Sequence, residues 1–249
     1  MQEFNIVTTF AEKHKWGHDM VTSCEKYLPS NCTISVYLDQ ELPEDRERVK
    51  YFKLPEERIR KFKEWFMPIK NSKIPPNVEC NSDVYNKNLY YFWDADRFCY
   101  KVYAMNEAIR SQQNRYMVWV DADVLFESSP SNEWMKSLIN EGTYTSFLHR
   151  KTRHAETGFV IFDKEHSYNN EWWDTVMDLY DNGKITQIES GWTDSHVHDY
   201  MISLSTKIGV KHTRLSENAA SRAWNESPLI KHCRHFKGLQ ANNEHGSNK

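Results

Sequence analysis

Two aspartates one residue apart, Asp121 and Asp123, follow a run of five apolar or aromatic residues, Tyr116-Met117-Val118-Trp119-Val120, and Val124-Leu125-Phe126 comes directly after them. Carboxylates this close repel each other unless a cation lies between them, so a divalent metal ion is their natural partner. A turn that carries two Asp residues is the plain alternative. Apolar sequence on both sides argues against it, because an unpaired acidic pair beside a core is costly. The element that must position the pair is the apolar run. A short continuous apolar segment suits a strand buried on both faces, as in a parallel sheet. The carboxylates then stand at the carboxyl end of that strand, where ligands bind in open α/β sheets.

The same tripeptide occurs earlier, as Asp94-Ala95-Asp96. No apolar strand leads into it. It precedes Phe98, Val102, Met105 and Ile109, whose spacing is one face of a helix. Asp94 or Asp96 is therefore expected to cap that helix and not to hold a metal.

The chain has 249 residues, enough for one large α/β domain with a full core, and its nine Trp and thirteen Tyr predict a core and clefts built from rings. Neither a P-loop nor a G-x-G-x-x-G fingerprint occurs among its eight glycines, which puts kinases, ATPases and ordinary dehydrogenases out of the front rank. A net charge of −3 gives no global argument for nucleic acid or membrane. The five cysteines form no C-x-x-C pair and are expected as free thiols in a reducing compartment. No apolar stretch is long enough to span a bilayer, and no signal-like stretch opens the sequence. The expectation is a cytoplasmic enzyme of bacterial or viral type, a chain separated from its anchor being the other reading.

Further elements frame the pair. Phe4 to Phe10 and Thr33 to Leu38 read as strands, with a helix from Asp19 to Tyr27 between them; this order predicts a right-handed crossover and a parallel sheet. Glu41 to Lys73 is rich in charge and holds a helix from Pro55 to Phe66, with either a solvated face or a basic flank to a cleft. Ser129-Pro130 opens a short helix through Ile139. Thr143 to Leu148 is a strand, followed by the basic run His149-Arg150-Lys151-Thr152-Arg153-His154 and then Glu156-Thr157-Gly158-Phe159-Val160-Ile161-Phe162-Asp163. Gly158 lets the backbone approach a ligand closely. Asn169 to Asn182 is a helix closed by Gly183, and Thr193 or Asp194 caps a helix whose inner face is Val197, Met201, Leu204 and Ile208.

The segment Trp119-Val120-Asp121-Ala122-Asp123-Val124-Leu125-Phe126 resembles the DxD segment of nucleotide-sugar-dependent glycosyltransferases of the GT-A fold, and the other segments resemble that superfamily in the same order. The resemblance implies a single GT-A-like, Rossmann-like α/β domain over residues 1–249. Its central, mostly parallel twisted sheet is flanked by helices, with a nucleotide-sugar half to about residue 126 and an acceptor half beyond. It implies that Thr8, Thr9 and Asp39 line the base and ribose. Arg97 and Lys101, on the helix before the DxD strand, meet the nucleotide or its phosphates. His235, in His235-Phe236-Lys237-Gly238, completes a metal shell with Asp123, while Asp121 joins that shell or reaches the ribose or a metal-bound water; Lys237 and Gly238 meet the diphosphate, and His232 is the competing ligand.

Glu156 is expected to bond a sugar hydroxyl or to act as a base, and Asp194 to be the other catalytic carboxylate. Mn²⁺, or Mg²⁺, suits such ligands. The donor expected is a UDP-sugar and the acceptor a glycan or glycoconjugate. A hydroxymethyl-pyrimidine base in viral DNA is the second acceptor reading, supported by a positive rim from the basic run and the segment Arg46 to Lys73, with Tyr90, Tyr91, Phe92 and Trp93 as a stacking cluster or a core cluster. A nucleotide-sugar or glycan-binding protein without turnover, and a metal-dependent phosphodiesterase or nuclease, are the readings from other classes.

Overall fold

The computed structural model describes residues 3–11, 14–73, 93–217, 219 and 222–236. Among these the chain runs β1 (Phe4–Thr9), α1 (Lys15–Tyr27), β2 (Cys32–Leu38), β3 (Val49–Lys53), α2 (Glu56–Lys73), α3 (Ala95–Ser111), β4 (Tyr116–Val120) and β5 (Val124–Phe126). It continues with α4 (Asn132–Ser137), β6 (Thr143–Leu148), β7 (Glu156–Asp163), α5 (Asn169–Asp181), α6 (Asp194–Lys207), β8 (Lys211–Arg214) and β9 (Cys233–His235). Lys237 and Gly238, the expected diphosphate contacts, lie outside the described residues, as do Tyr90, Tyr91 and Phe92.

Seven strands form one sheet in the order β3-β2-β1-β4-β7-β6-β8. All neighbours pair in parallel except at β7, which runs against both β4 and β6. This is the α/β, mostly parallel sheet flanked by helices that the sequence implied. Alternation along the strands divides the core in two. Val7, Met117 and Trp119 face a cluster with α2, α3, α5 and α6. Phe4, Ile6, Val118 and Val120 face one with α1, α4 and the small β5–β9 ribbon.

Several boundaries differ from the sequence reading. The strand β3 lies inside the charged segment and was not foreseen; it forms an edge of the sheet, where lysines such as Lys50 and Lys53 deter pairing with another chain. Helix α1 begins at Lys15, not Asp19, because Gly17 leaves room for the Phe10 ring against the helix. Helix α2 runs on through Pro68 to Lys73. The cap of α4 is Ser131, which accepts from Trp134 N, and not Ser129. Asp94 stands at the N-cap of α3 but its side chain makes no capping bond. Thr193 likewise makes no capping bond on α6, its hydroxyl pairing with His196 Nδ1 at 2.7 Å. Among the described residues the four cysteines are free and buried, and no helix is long and apolar enough to cross a membrane.

Candidate metal and donor site

Strand direction assembles the site. The parallel strands β1, β2 and β4 end at one edge of the sheet and deliver Thr9, Asp39 and Asp121 there. Because β7 is antiparallel, its first residues, Glu156, Thr157 and Gly158, reach that same edge. Asp121 N donates to Gly158 O at 2.9 Å, so the DxD begins where β7 starts. The chain then turns, with Val124 N donating to Asp121 O, and enters β5. β9 pairs with β5 so that His235 stands opposite Val124, and Phe236 N donates to Asp123 O at 2.9 Å. A three-residue ribbon therefore brings a distant histidine to the aspartate pair.

One ligand atom from each of Asp121, Asp123 and His235 lies within 4.8 Å of the others. His235 Nε2 is 3.1 Å from Asp123 Oδ1, and its Nδ1 is 3.0 Å from Glu156 Oε1. The His235 ring packs on Trp224, whose indole donates to Cys233 O. On its other side lies Gly158, where a Cβ would stand only 2.9 Å from His235 Cε1 and 3.3 Å from Asp121 Oδ2. Two carboxylates and an imidazole gathered this closely could hold a divalent cation. The competing histidine, His232, is elsewhere, bonded to Ser128 and packed on Trp134.

Lys101 was expected to meet the nucleotide or its phosphates. Helix α3 is buried nearly all round, between the sheet and α2, α5 and α6, and Lys101 is only 7 % exposed. Its ammonium donates to Asp121 Oδ1 at 2.9 Å and Thr157 O at 2.6 Å, and pairs with Asp194 Oδ2 at 2.7 Å. Three acceptors match its three protons, and it stands over the Trp119 ring. Burial works against its charge, but Asp121 and Asp194 outweigh this and hold the lysine above its ordinary range. Asp121 Oδ1 also accepts from Trp119 Nε1 at 2.6 Å, a bond between residues on one face of a strand and its extension. Asp194, at the first turn of α6, accepts from Thr157 Oγ1 as well.

Beside this centre opens a cleft of about 600 Å³, bordered by Thr9, Asp39, Arg97, Lys101, Asp121 and Asp123. Phe10, Phe98 and Tyr100 also line it, together with His14 and Lys63; Phe98 was read as part of an apolar helix face and Lys63 as part of the charged segment, and nothing in the sequence singled out the other three. Thr8 is fully buried and does not border the cleft, since neighbouring residues of a strand face opposite sides. Glu156, expected towards the acceptor, is 4 % exposed and lies behind His235. Trp93 packs edge-on against Trp192 in the core, as a core residue would.

Most cations of the charged segment are matched to acids, though Arg48 donates to backbone carbonyls and Lys63 to the Tyr100 hydroxyl. Arg46 pairs with Glu25, Arg58 with Glu107 and Asp181, Arg60 and Lys61 with Glu57, and Lys70 with Asp94 and Asp96. In the basic run, Arg150 donates back to His154 O and Ala155 O and so shapes its own loop. His154 is bonded to Asp199, while Lys151 and Arg153 remain exposed.

No protein-family model matches the chain, and no curated protein matches it either. Solved glycosyltransferases are similar to it in fold. One, involved in the glycosylation of the major capsid of PBCV-1, is 14% identical with a TM-score of 0.48, over 98% of this chain and 99% of that one. Mouse xyloside xylosyltransferase 1 is 8% identical with a TM-score of 0.46, over 86% of this chain and 85% of that one. The glycosyltransferase GlyE of Streptococcus pneumoniae TIGR4 is 10% identical with a TM-score of 0.45; the match spans 86% of this chain and 45% of that longer one. The likeness is one of chain path, and the acceptors named for those proteins are theirs.

Proposed function

We propose that the protein is a metal-dependent glycosyltransferase that moves a sugar from a nucleotide-diphosphate sugar, with a UDP-sugar as the first candidate, to a hydroxyl of a glycan or glycoconjugate. The observation that carries this reading is the convergence of Asp121, Asp123 and His235 beside a cleft whose volume falls within the usual range of about 300–1,000 Å³ for small-molecule sites.

A divalent cation held there supplies a Lewis acid that neutralises charge on the departing diphosphate. Asp123 and His235 are its ligands. Asp121 is shared with Lys101 and Trp119, which fix its orientation as outer partners fix metal-binding carboxylates. Arg97, exposed on the cleft, is the cation for the phosphates, with Lys237 and Gly238 from the following segment. Thr9 and Asp39 serve the base and ribose. Asp194, held by Lys101 and Thr157, is the carboxylate proposed to take the acceptor's proton. The modified-DNA reading needs a positive rim, and the matched acids of the charged segment speak against one.

The test is a panel of nucleotide sugars with Mn²⁺, read by release of the nucleoside diphosphate. One donor is expected to support release that is lost with chelator and in Asp123→Ala. Binding without turnover would make the protein a binding module. No nucleoside diphosphate from any donor, together with Mn²⁺-dependent cleavage of a phosphodiester, would make it a phosphodiesterase.

A further inference from the structure

We propose that Glu156 is a positioning residue for the metal ligand His235 and not the base of the reaction; this rests on the metal-dependent reading above. The carboxylate belongs to the first residue of β7 and is 5 % exposed, with Oε1 3.0 Å from His235 Nδ1. A buried carboxylate beside an imidazole nitrogen takes the proton on that nitrogen, which assigns the tautomer. In this arrangement Nδ1–H is directed to Glu156 and Nε2 carries the lone pair; the 3.0 Å approach is a close contact whose alignment falls short of a hydrogen bond. Nε2 faces Asp123 Oδ1 at 3.1 Å. A proton on Nε2 or a metal ion bound by both groups can relieve that contact; in the metal-dependent reading it is the ion.

The rest of the surroundings supports the same role. The His235 ring packs on Trp224 and lies close to Gly158, so the Glu156 carboxylate meets a ring already held by its neighbours. Glu156 does not border the cleft, whereas Asp121 and Asp123 do. The antiparallel course of β7 explains the placement. The residue lies at the ligand edge of the sheet, but behind the β5–β9 ribbon that carries His235.

The experiment titrates Mn²⁺ into the whole chain, with and without UDP, and reads bound ion by electron paramagnetic resonance. Wild type, Glu156→Ala, Glu156→Gln, His235→Ala and the Glu156→Ala/His235→Ala double variant are compared, with thermal melting as the check on folding. Glu156→Ala is expected to weaken Mn²⁺ binding about 10–100-fold, the usual cost of losing an outer-shell partner. Glu156→Gln keeps an oxygen that accepts from Nδ1–H, and should stay within about tenfold of wild type. The double variant should bind no more weakly than His235→Ala alone, because Glu156 acts through the ring. Excess Mn²⁺ should restore the maximal transfer rate of Glu156→Gln.

Unchanged Mn²⁺ affinity in Glu156→Gln and Glu156→Ala, with a rate that excess metal does not restore, would make Glu156 a base and overturn the proposal. Additive losses in the double variant would overturn it too. Should Glu156→Ala fail to fold, the Glu156→Gln titration and rate decide alone. A wild-type chain that binds no Mn²⁺ under either condition would instead overturn the metal-dependent reading itself.

Discussion

The chain writes Asp-Ala-Asp twice, and the two copies have opposite fates. Asp94 and Asp96 share one ammonium: Lys70 Nζ lies 2.6 Å from Asp94 Oδ1 and 2.7 Å from Asp96 Oδ1. Asp96 even borders the cleft, yet its charge is already answered by α2. In the second copy Lys101 reaches only Asp121 and spends its remaining protons on Thr157 and Asp194. Asp123 is left facing an imidazole. The tripeptide alone does not mark the proposed metal site; among the described residues, the smaller share of protein cations around the second copy does. Lys70 answers two carboxylates at the first copy, whereas a single lysine at the second has to serve Asp121 and Asp194, with Asp123 beyond its reach.

The largest effect that tests this contrast is on turnover. Asp123→Ala should lower transfer by about 100-fold or more, the scale of losing one group that stabilises developing charge. Asp96→Ala should leave the rate near wild type and lower stability by up to about 1 kcal/mol, as for a mostly screened ion pair. Rates and melting curves of the two variants decide it. Loss of turnover in folded Asp96→Ala with turnover kept in Asp123→Ala would reverse the assignment.

Next comes stability. Lys101→Met leaves Asp121 and Asp194 without their shared cation, and breaking a buried pair costs about 3–5 kcal/mol. Lys70→Met, at a site 14 % exposed on the lysine side, should cost about 1 kcal/mol or less. Denaturant unfolding of both variants measures the difference. Equal losses would mean that the two copies are held alike.

How far this was legible follows from where the partners come from. The strand ending in Asp121 and the helix following Asp96 could be read from apolar spacing, because each is a local pattern. The sheet edge on which Thr9, Asp39 and Asp121 meet followed from parallel strands. The burial of Lys101 was not legible, since its acceptors come from β7, α6 and the residue after β4. Nor was the Glu156–His235 pair, which depends on an antiparallel β7 and on a β9 of three residues, too short for a periodic signal. Thr8 shows the limit of reading a strand end without its facing: one residue separates it from Thr9, and it points into the core.

The smallest effect concerns acid. His198 lies one helical turn beyond Asp194 on α6, among Phe147, Phe162 and Trp172. Burial, helped by His212, pulls it down to about 3, and burial likewise pulls His196 and His212 down to about 4. A histidine depressed in the folded state contributes stability that is fully present above its unfolded value of about 6.5 and is lost as pH falls towards the folded value. The unfolded chain binds the proton first, so acid favours unfolding. Stability should therefore decline from about pH 6.5 downward, on the Asp121 side of the contrast, where Lys101, Asp194 and His198 adjoin, and not at Asp94, where no such histidine stands within the Lys70 pairing. His198→Phe isolates this. Among the described residues Nε2 has no hydrogen-bond partner and the neighbours are rings, so Phe should fit with little change in the melting temperature at neutral pH. In acid the variant should lose less of its melting temperature than wild type, while Lys70→Met should follow the wild-type slope. Parallel pH–melting curves for wild type and His198→Phe would show that His198 takes no part in the acid response.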